Sequence, residues 1–208
     1  MFLSCLRRFE DQLEADLGLV LEKPATREIK AARSECEKKL YEATIRGNWR
    51  VVKEILEQDK DAVKYDLSSS GDKLLHIAAA YSPEDFVENL LLFIEKEEEV
   101  KETLEQKNKD GSTALHEAVS VGNKHAMKLL VHKHKDLLTI SDIKGQDPLM
   151  KASNRMRIDI FSHLLKVAAL DLSQVPDIKK RGVNLVVNMI TAKQYLGPVL
   201  EKPATRGG

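Results

Sequence analysis

The sequence predicts an all-α solenoid of about four stacked helix-turn-helix units, and three observations predict it. The first is residues 108–131, NKDGSTALHEAVSVGNKHAMKLLV, which read as turn, short helix, break, second helix. Gly111 sits where a turn calls for positive φ. Gly122 and Asn123 interrupt the first helix. Ala126, Met127, Leu129, Leu130 and Val131 then supply the apolar face of the second. The second observation is recurrence: Leu40, Leu75, Leu115 and Leu149 open equivalent segments, spaced by 35, 40 and 34 residues. The third is a set of fixed offsets from those leucines. Three residues later comes alanine (Ala43, Ala78, Ala118, Ala152). Fifteen and sixteen later comes an apolar pair: Ile55-Leu56, Leu90-Leu91, Leu130-Val131, Leu164-Leu165. Four before comes glycine (Gly71, Gly111, Gly145), with Cys36 in the first unit. Stacked helix pairs need small residues where helices approach and large ones in the layer between neighbours.

The ~33-residue period and the stretch TALHEA resemble the ankyrin repeat, whose signature is close to T-P-L-H-x-A; Ala114 replaces the proline. The resemblance covers residues 34–170, divided as 34–66, 67–106, 107–140 and 141–170. It implies structural work for His76 and His116: hydrogen bonds that fix the turn between repeats, with Thr113 as a partner. Tyr41 and Met150 stand at the same place and cannot make that bond, so repeats one and four should be less regular. It also implies that partners bind on the concave side. There the turns contribute Ser70, Asp72, Lys109, Asp110, Ser112, Lys144 and Gln146. The first helices contribute Ile45, Arg46, Ala80, Tyr81, Ser120, Val121, Asn154 and Arg155. Tyr81 and Arg155 are the anchor candidates, because Tyr and Arg are enriched in interface hot spots.

The motifs GSTALHEAV, LYEATIRGNW and HKHKDLLTISDIKGQDPL are similar in style to a plant ankyrin family. Its longer members join such repeats to a C-terminal membrane domain of the PGG type, and some are implicated in defence and stress signalling. No such domain is present here. The resemblance therefore implies a scaffold that binds protein, with a truncated, soluble form of a membrane-anchored signalling protein as the alternative.

Taken in order, residues 1–33 are an N-terminal helix and a Pro-containing connector. Leu6, Phe9, Leu13 and Leu17 recur at helical spacing, as expected of a helix covering the first repeat. A partner- or membrane-surface helix with Cys5 lipidated is the sharper alternative. Residues 17–27 (LGLVLEKPATR) and 196–206 (LGPVLEKPATR) match at ten of eleven positions. Both read as connectors, and a larger duplicated unit, a gene-model accident or a motif read twice by a partner would each produce them. Residues 28–46 should be helical, with Ser34 a cap only if the helix breaks there. Trp49 falls at the turn of repeat one, where packing against a neighbour is its expected work. In repeat two, Ser82-Pro83 replaces the mid-repeat glycine. The extra residues of that repeat fall in the acidic run 95–105 (EKEEEVKETLE), a solvated helix extension or an acidic docking patch. Repeat three holds a basic face with Lys124, Lys128, Lys133, Lys135 and three histidines, which the acidic run or solvent can neutralise. Residues 171–195 form a degenerate capping helix, and 196–208 a flexible tail.

Composition excludes several classes. Lys+Arg and Asp+Glu are 33 each, without the basic excess of a general nucleic-acid binder. Aromatics are 5%, a poor supply of base-stacking platforms. Two cysteines, Cys5 and Cys36, give neither a disulfide framework nor a zinc set and fit a reducing, cytoplasmic location. No apolar run approaches the ~18 residues of a membrane span. Phosphate-binding loops, GxSxG and HExxH are all absent, so no catalytic, cofactor or metal residue is assigned. His132 and His134, two residues apart, would point to different sides of a helix. An enzyme or metal protein is the reading of another class.

Overall fold

The structure, a computed structural model, describes residues 24–95, 100–171 and 186–187. Among them are nine α-helices, two 3-10 turns and no strand. The helices are α1 (Pro24–Ile45), α2 (Trp49–Gln58), α3 (Leu74–Tyr81), α4 (Glu84–Ile94), α5 (Val100–Glu105), α6 (Ala114–Val121), α7 (Lys124–Lys133), α8 (Pro148–Asn154) and α9 (Ile158–Asp171). Pairs α1/α2, α3/α4, α6/α7 and α8/α9 are the four repeats. First helices pack on first helices in chain order, α1 on α3 on α6 on α8.

The leucine register is the core. Leu40, Leu75, Leu115 and Leu149 are all buried, as are Ala43, Ala78, Ala118 and Ala152. The alanines let the first helices come close, while Leu56, Phe86, Leu90 and Met127 hold the second helices further apart. Small residues between first helices and bulky ones between second helices are the arrangement that sets the curvature of such a stack. Trp49 does the packing expected of it: its ring meets Phe86 edge-on at 5.6 Å and Phe93 at 6.4 Å, joining repeat one to repeat two.

Local chemistry sets each helix end. Asn48 and Asn123 cap α2 and α7 by accepting from the N–H groups of Val51 and Ala126. Asp147 does the same for α8 by accepting from Met150 N–H, with Pro148 next. Between the helices of a repeat, the position seven after the leucine is left-handed at Gly47, Gly122 and also Met156, whose φ is 54°. A side chain there costs about 1 kcal/mol, so the packing of Met156 against the core accompanies a conformation its residue type disfavours. Repeat two takes another route, with Ser82 extended and Pro83 capping α4.

Turns stack on turns. Gly71, Gly111 and Gly145 all adopt φ near +70°. Lys109 N–H donates to Ser70 O (2.9 Å) and Ile143 N–H to Asp110 O (3.0 Å), linking each turn to the one before.

Helix α1 runs unbroken through Ser34, as expected for residues 28–46, so no turn opens repeat one, and Cys36 stands where the others have glycine because no positive φ is needed there. Other expectations change. Residues Pro24 to Arg27, read as connector, form the first turn of α1. The acidic run is not one solvated extension. Helix α4 ends at Ile94, and α5 is a separate helix with Thr103 and Leu104 buried. Like Ala62-Val63 and Leu137-Leu138 in the 3-10 turns Lys60–Lys64 and Lys135–Thr139, that pair is buried. The N-terminal helix through residue 17, Cys5, the C-terminal connector copy and nearly all of the capping helix lie outside the described residues.

The turn stacking separates two chemically identical substitutions. A Cβ on Gly111 would stand 2.8 Å from Ile143 N, whereas one on Gly145 would meet nothing within 4 Å. Both positions carry the strain of positive φ. Gly111→Ala should therefore lower urea-unfolding stability by about 1 kcal/mol more than Gly145→Ala. Equal losses would contradict the packing of one turn on the next.

Candidate protein-binding face

The face lined by the turns and first helices is fastened from beneath. His116 is fully buried. Its Nδ1 accepts from Thr113 N–H (3.1 Å) and lies 2.9 Å from Thr113 Oγ1. Because Nδ1 is an acceptor, Nε2 carries the proton and donates to Gln146 O of the next turn at 3.0 Å. His76 repeats the arrangement, with Nδ1 accepting from Lys73 N–H (3.3 Å) and Nε2 2.8 Å from Ser112 O. Burial lowers the pKa of His76 and takes that of His116 down to about 4. Both rings are neutral clamps between repeats. Met150 has no such bond, and Asp147 holds the start of α8 instead.

The turn carboxylates and amides are likewise engaged. Asn108 Oδ1 accepts from Asp110 and Ser112 N–H, and Asp142 Oδ1 from Lys144 and Gln146 N–H. Burial opposes the charge on Asp142, but these N–H groups and Lys151 hold its carboxyl below the usual range. Lys151 Nζ also lies 2.9 Å from Ser112 Oγ. Beside it, burial pushes the half-buried Glu117 up.

The predicted contact residues divide accordingly. Ile45, Arg46, Ser70, Tyr81, Lys109, Asp110, Val121, Lys144, Asn154 and Arg155 are exposed, Tyr81 at 61%. Asp72, Ala80, Ser120 and Gln146 are half-buried. Asp72 is tied to Ser68 Oγ and Asn108 Nδ2, both at 2.7 Å, and so works within the turns. Ser112 was expected on the surface and is not: it is fully buried, its carbonyl under His76 and its hydroxyl under Lys151. Its offset places it on the turn, but His76 of the preceding repeat and Lys151 of α8 close over it. Sequence reasoning missed Arg157. Its guanidinium lies over Gly122, 2.9 Å from where a Cβ would be, and donates to Val121 O at 3.0 Å. An arginine three before a helix's first buried residue carries no signal that it reaches back one repeat.

On the opposite side the acidic run meets the basic face of repeat three. Glu95 pairs with Lys133, and Glu105 accepts from His134 Nε2 at 2.6 Å, which lowers the Glu105 pKa. His125 adds a bond to Glu88 at 3.0 Å. These histidines serve as repeat-to-repeat partners. Among the described residues no group of three or more His, Cys, Asp or Glu is placed to hold a metal ion. No helix among them is long and apolar enough to cross a membrane.

The paired helices, the turn ladder and the histidine clamps together define an all-α ankyrin-repeat solenoid. A family model described as ankyrin repeats matches residues 92–174 in three copies. Among solved structures, the chain is similar to one from the crystal structure of the yeast ribosomal protein Rps3 in complex with its chaperone Yar1. The TM-score is 0.59 and the identity 24%, covering 64% of this chain and 93% of that one. At that identity the likeness is one of fold. Comparison with curated proteins gives no match.

The clamp has a pH signature. The folded pKa of His116 lies near 4, below its ordinary 6.5, so between these values the unfolded chain binds the extra proton. Its contribution is complete above pH 6.5 and is lost as pH falls towards 4, up to about 3 kcal/mol. Urea midpoints should therefore drop over that window, and a His116→Gln variant should show a shallower drop. Parallel profiles would contradict the buried neutral ring.

Proposed function

We propose that this chain is a non-catalytic scaffold that binds a protein partner on its turn and first-helix face. The observation that carries the reading is the division of labour within each first helix. Leu75, His76 and Ala78 are buried against neighbours, whereas Tyr81, one turn further on, is 61% exposed and has no core duty. Ile45, Val121 and Arg155 repeat that exposure in the other repeats. A large apolar side chain held at the surface by a rigid helix is the type of group that anchors an interface. The likeness to a chain from a chaperone complex is compatible with such a role, and an ankyrin-repeat match favours binding over catalysis.

The finer reading is a signalling, stress or defence role in the cytoplasm, in the manner of the plant ankyrin family that the GSTALHEAV and LYEATIRGNW motifs resemble. It rests on those motifs and on the sparse cysteines.

An affinity pull-down with the full chain would supply the partner, and titration would then test the face. Tyr81→Ala and Arg155→Ala should each weaken binding by about 2 kcal/mol, roughly thirtyfold, while leaving the thermal melt unchanged. Unchanged affinity in both variants would remove the partner from this face.

A further inference from the structure

The exposed ends of the four first helices form a row with a definite chemistry. Counting five and six residues from each register leucine gives Ile45-Arg46, Ala80-Tyr81, Ser120-Val121 and Asn154-Arg155. Three of the large exposed apolar side chains fall here, Ile45 at 39%, Tyr81 at 61% and Val121 at 39%. They come from three consecutive repeats, whose first helices pack in order. An arginine stands in the row at each end. No carboxylate occupies any of the eight positions, although the chain as a whole has 33 acidic residues against 33 basic ones. The dense acidic run lies elsewhere, with Glu95 and Glu105 facing Lys133 and His134 on the second-helix side.

The two arginines are available. Arg155 makes no ion pair among the described residues. Arg46 has Glu42 at 3.5 Å, but both side chains are largely exposed, 76% and 46%. Such a pair is worth little and is readily exchanged for a better carboxylate. Arginine binds carboxylate through a planar fork of two parallel N–H groups, and an apolar neighbour that excludes water strengthens that bond.

Resting on the binding face assigned above, we propose that this row takes an extended partner segment whose apolar middle is bracketed by carboxylates. Adjacent packed helices lie roughly 8–10 Å apart, so four of them span about 25–30 Å. At about 3.3 Å per residue an extended chain of about eight or nine residues covers that distance. The middle residues would lie on Ile45, Tyr81 and Val121, and the terminal carboxylates would reach Arg46 and Arg155.

A phage-displayed library of random twelve-residue peptides, selected on the full chain, tests this. The expected winners carry Asp or Glu on both sides of an apolar or aromatic run. Their synthetic forms should lose at least tenfold in affinity against an Arg46→Glu/Arg155→Glu chain, and a separate selection on that chain should favour Lys and Arg. Both positions are exposed, so an unchanged circular-dichroism melt would show the variant folded. If winners bind and lose affinity with Tyr81→Ala, but show no acidic bias or ignore the charge reversal, the carboxylate inference is overturned while the face stands. If winners ignore both Tyr81→Ala and the charge reversal, the face itself is wrong. If selection enriches nothing, both readings fall.

Discussion

One contact carries the architecture: a histidine in one repeat reaching the turn carbonyl of the next, seated on a layer of buried leucine. A single helix pair of about 33 residues cannot bury its apolar faces alone. Leu75 and Leu115 find their cover in the neighbouring repeat, and His76 and His116 set the register in which the cover arrives. The two contacts supply different things. The leucine layer provides non-directional burial. The histidine bond is directional, buried and costly to leave unmade, so it fixes where the next turn must sit.

That division leaves one face of each first helix without core duty. Since the buried side of each first helix does the stacking, its last exposed turn has no structural duty. Ile45, Tyr81, Val121 and Arg155 can be chosen for a partner without disturbing the register. The far side is different. There the acidic run and the basic helix α7 meet in Glu95–Lys133 and Glu105–His134, so charge that looks available in the sequence is already occupied within the chain.

The fold was legible in the sequence because its signals are periodic. A leucine, an alanine three later and a glycine four before, repeated in phase, leave few architectures. The site was legible only in part. Tyr81 and Val121 lie outside the core, as their offsets suggest, but Ser112 is buried between His76 of the preceding repeat and Lys151 of the following one. Those contacts come from neighbouring repeats, so no local pattern reveals them. Helix α1 continues through Ser34, as expected for residues 28–46, because nothing in that segment breaks a helix. Met156 shows the converse: a left-handed backbone stands where the residue type gives no warning.

The central claim is that the four layers support one another. Trp49, the only tryptophan, reports on repeat one, while Leu115 fills the layer of repeat three. The direct measurement is urea unfolding of Leu115→Ala followed by Trp49 fluorescence. Removing a buried leucine should cost about 2–5 kcal/mol. If the layers are coupled, the Trp49 midpoint falls by about 1 M or more, in step with the loss of helical circular dichroism. A Trp49 midpoint that stays at the parent value while helix is lost elsewhere would show independent repeats and contradict the account.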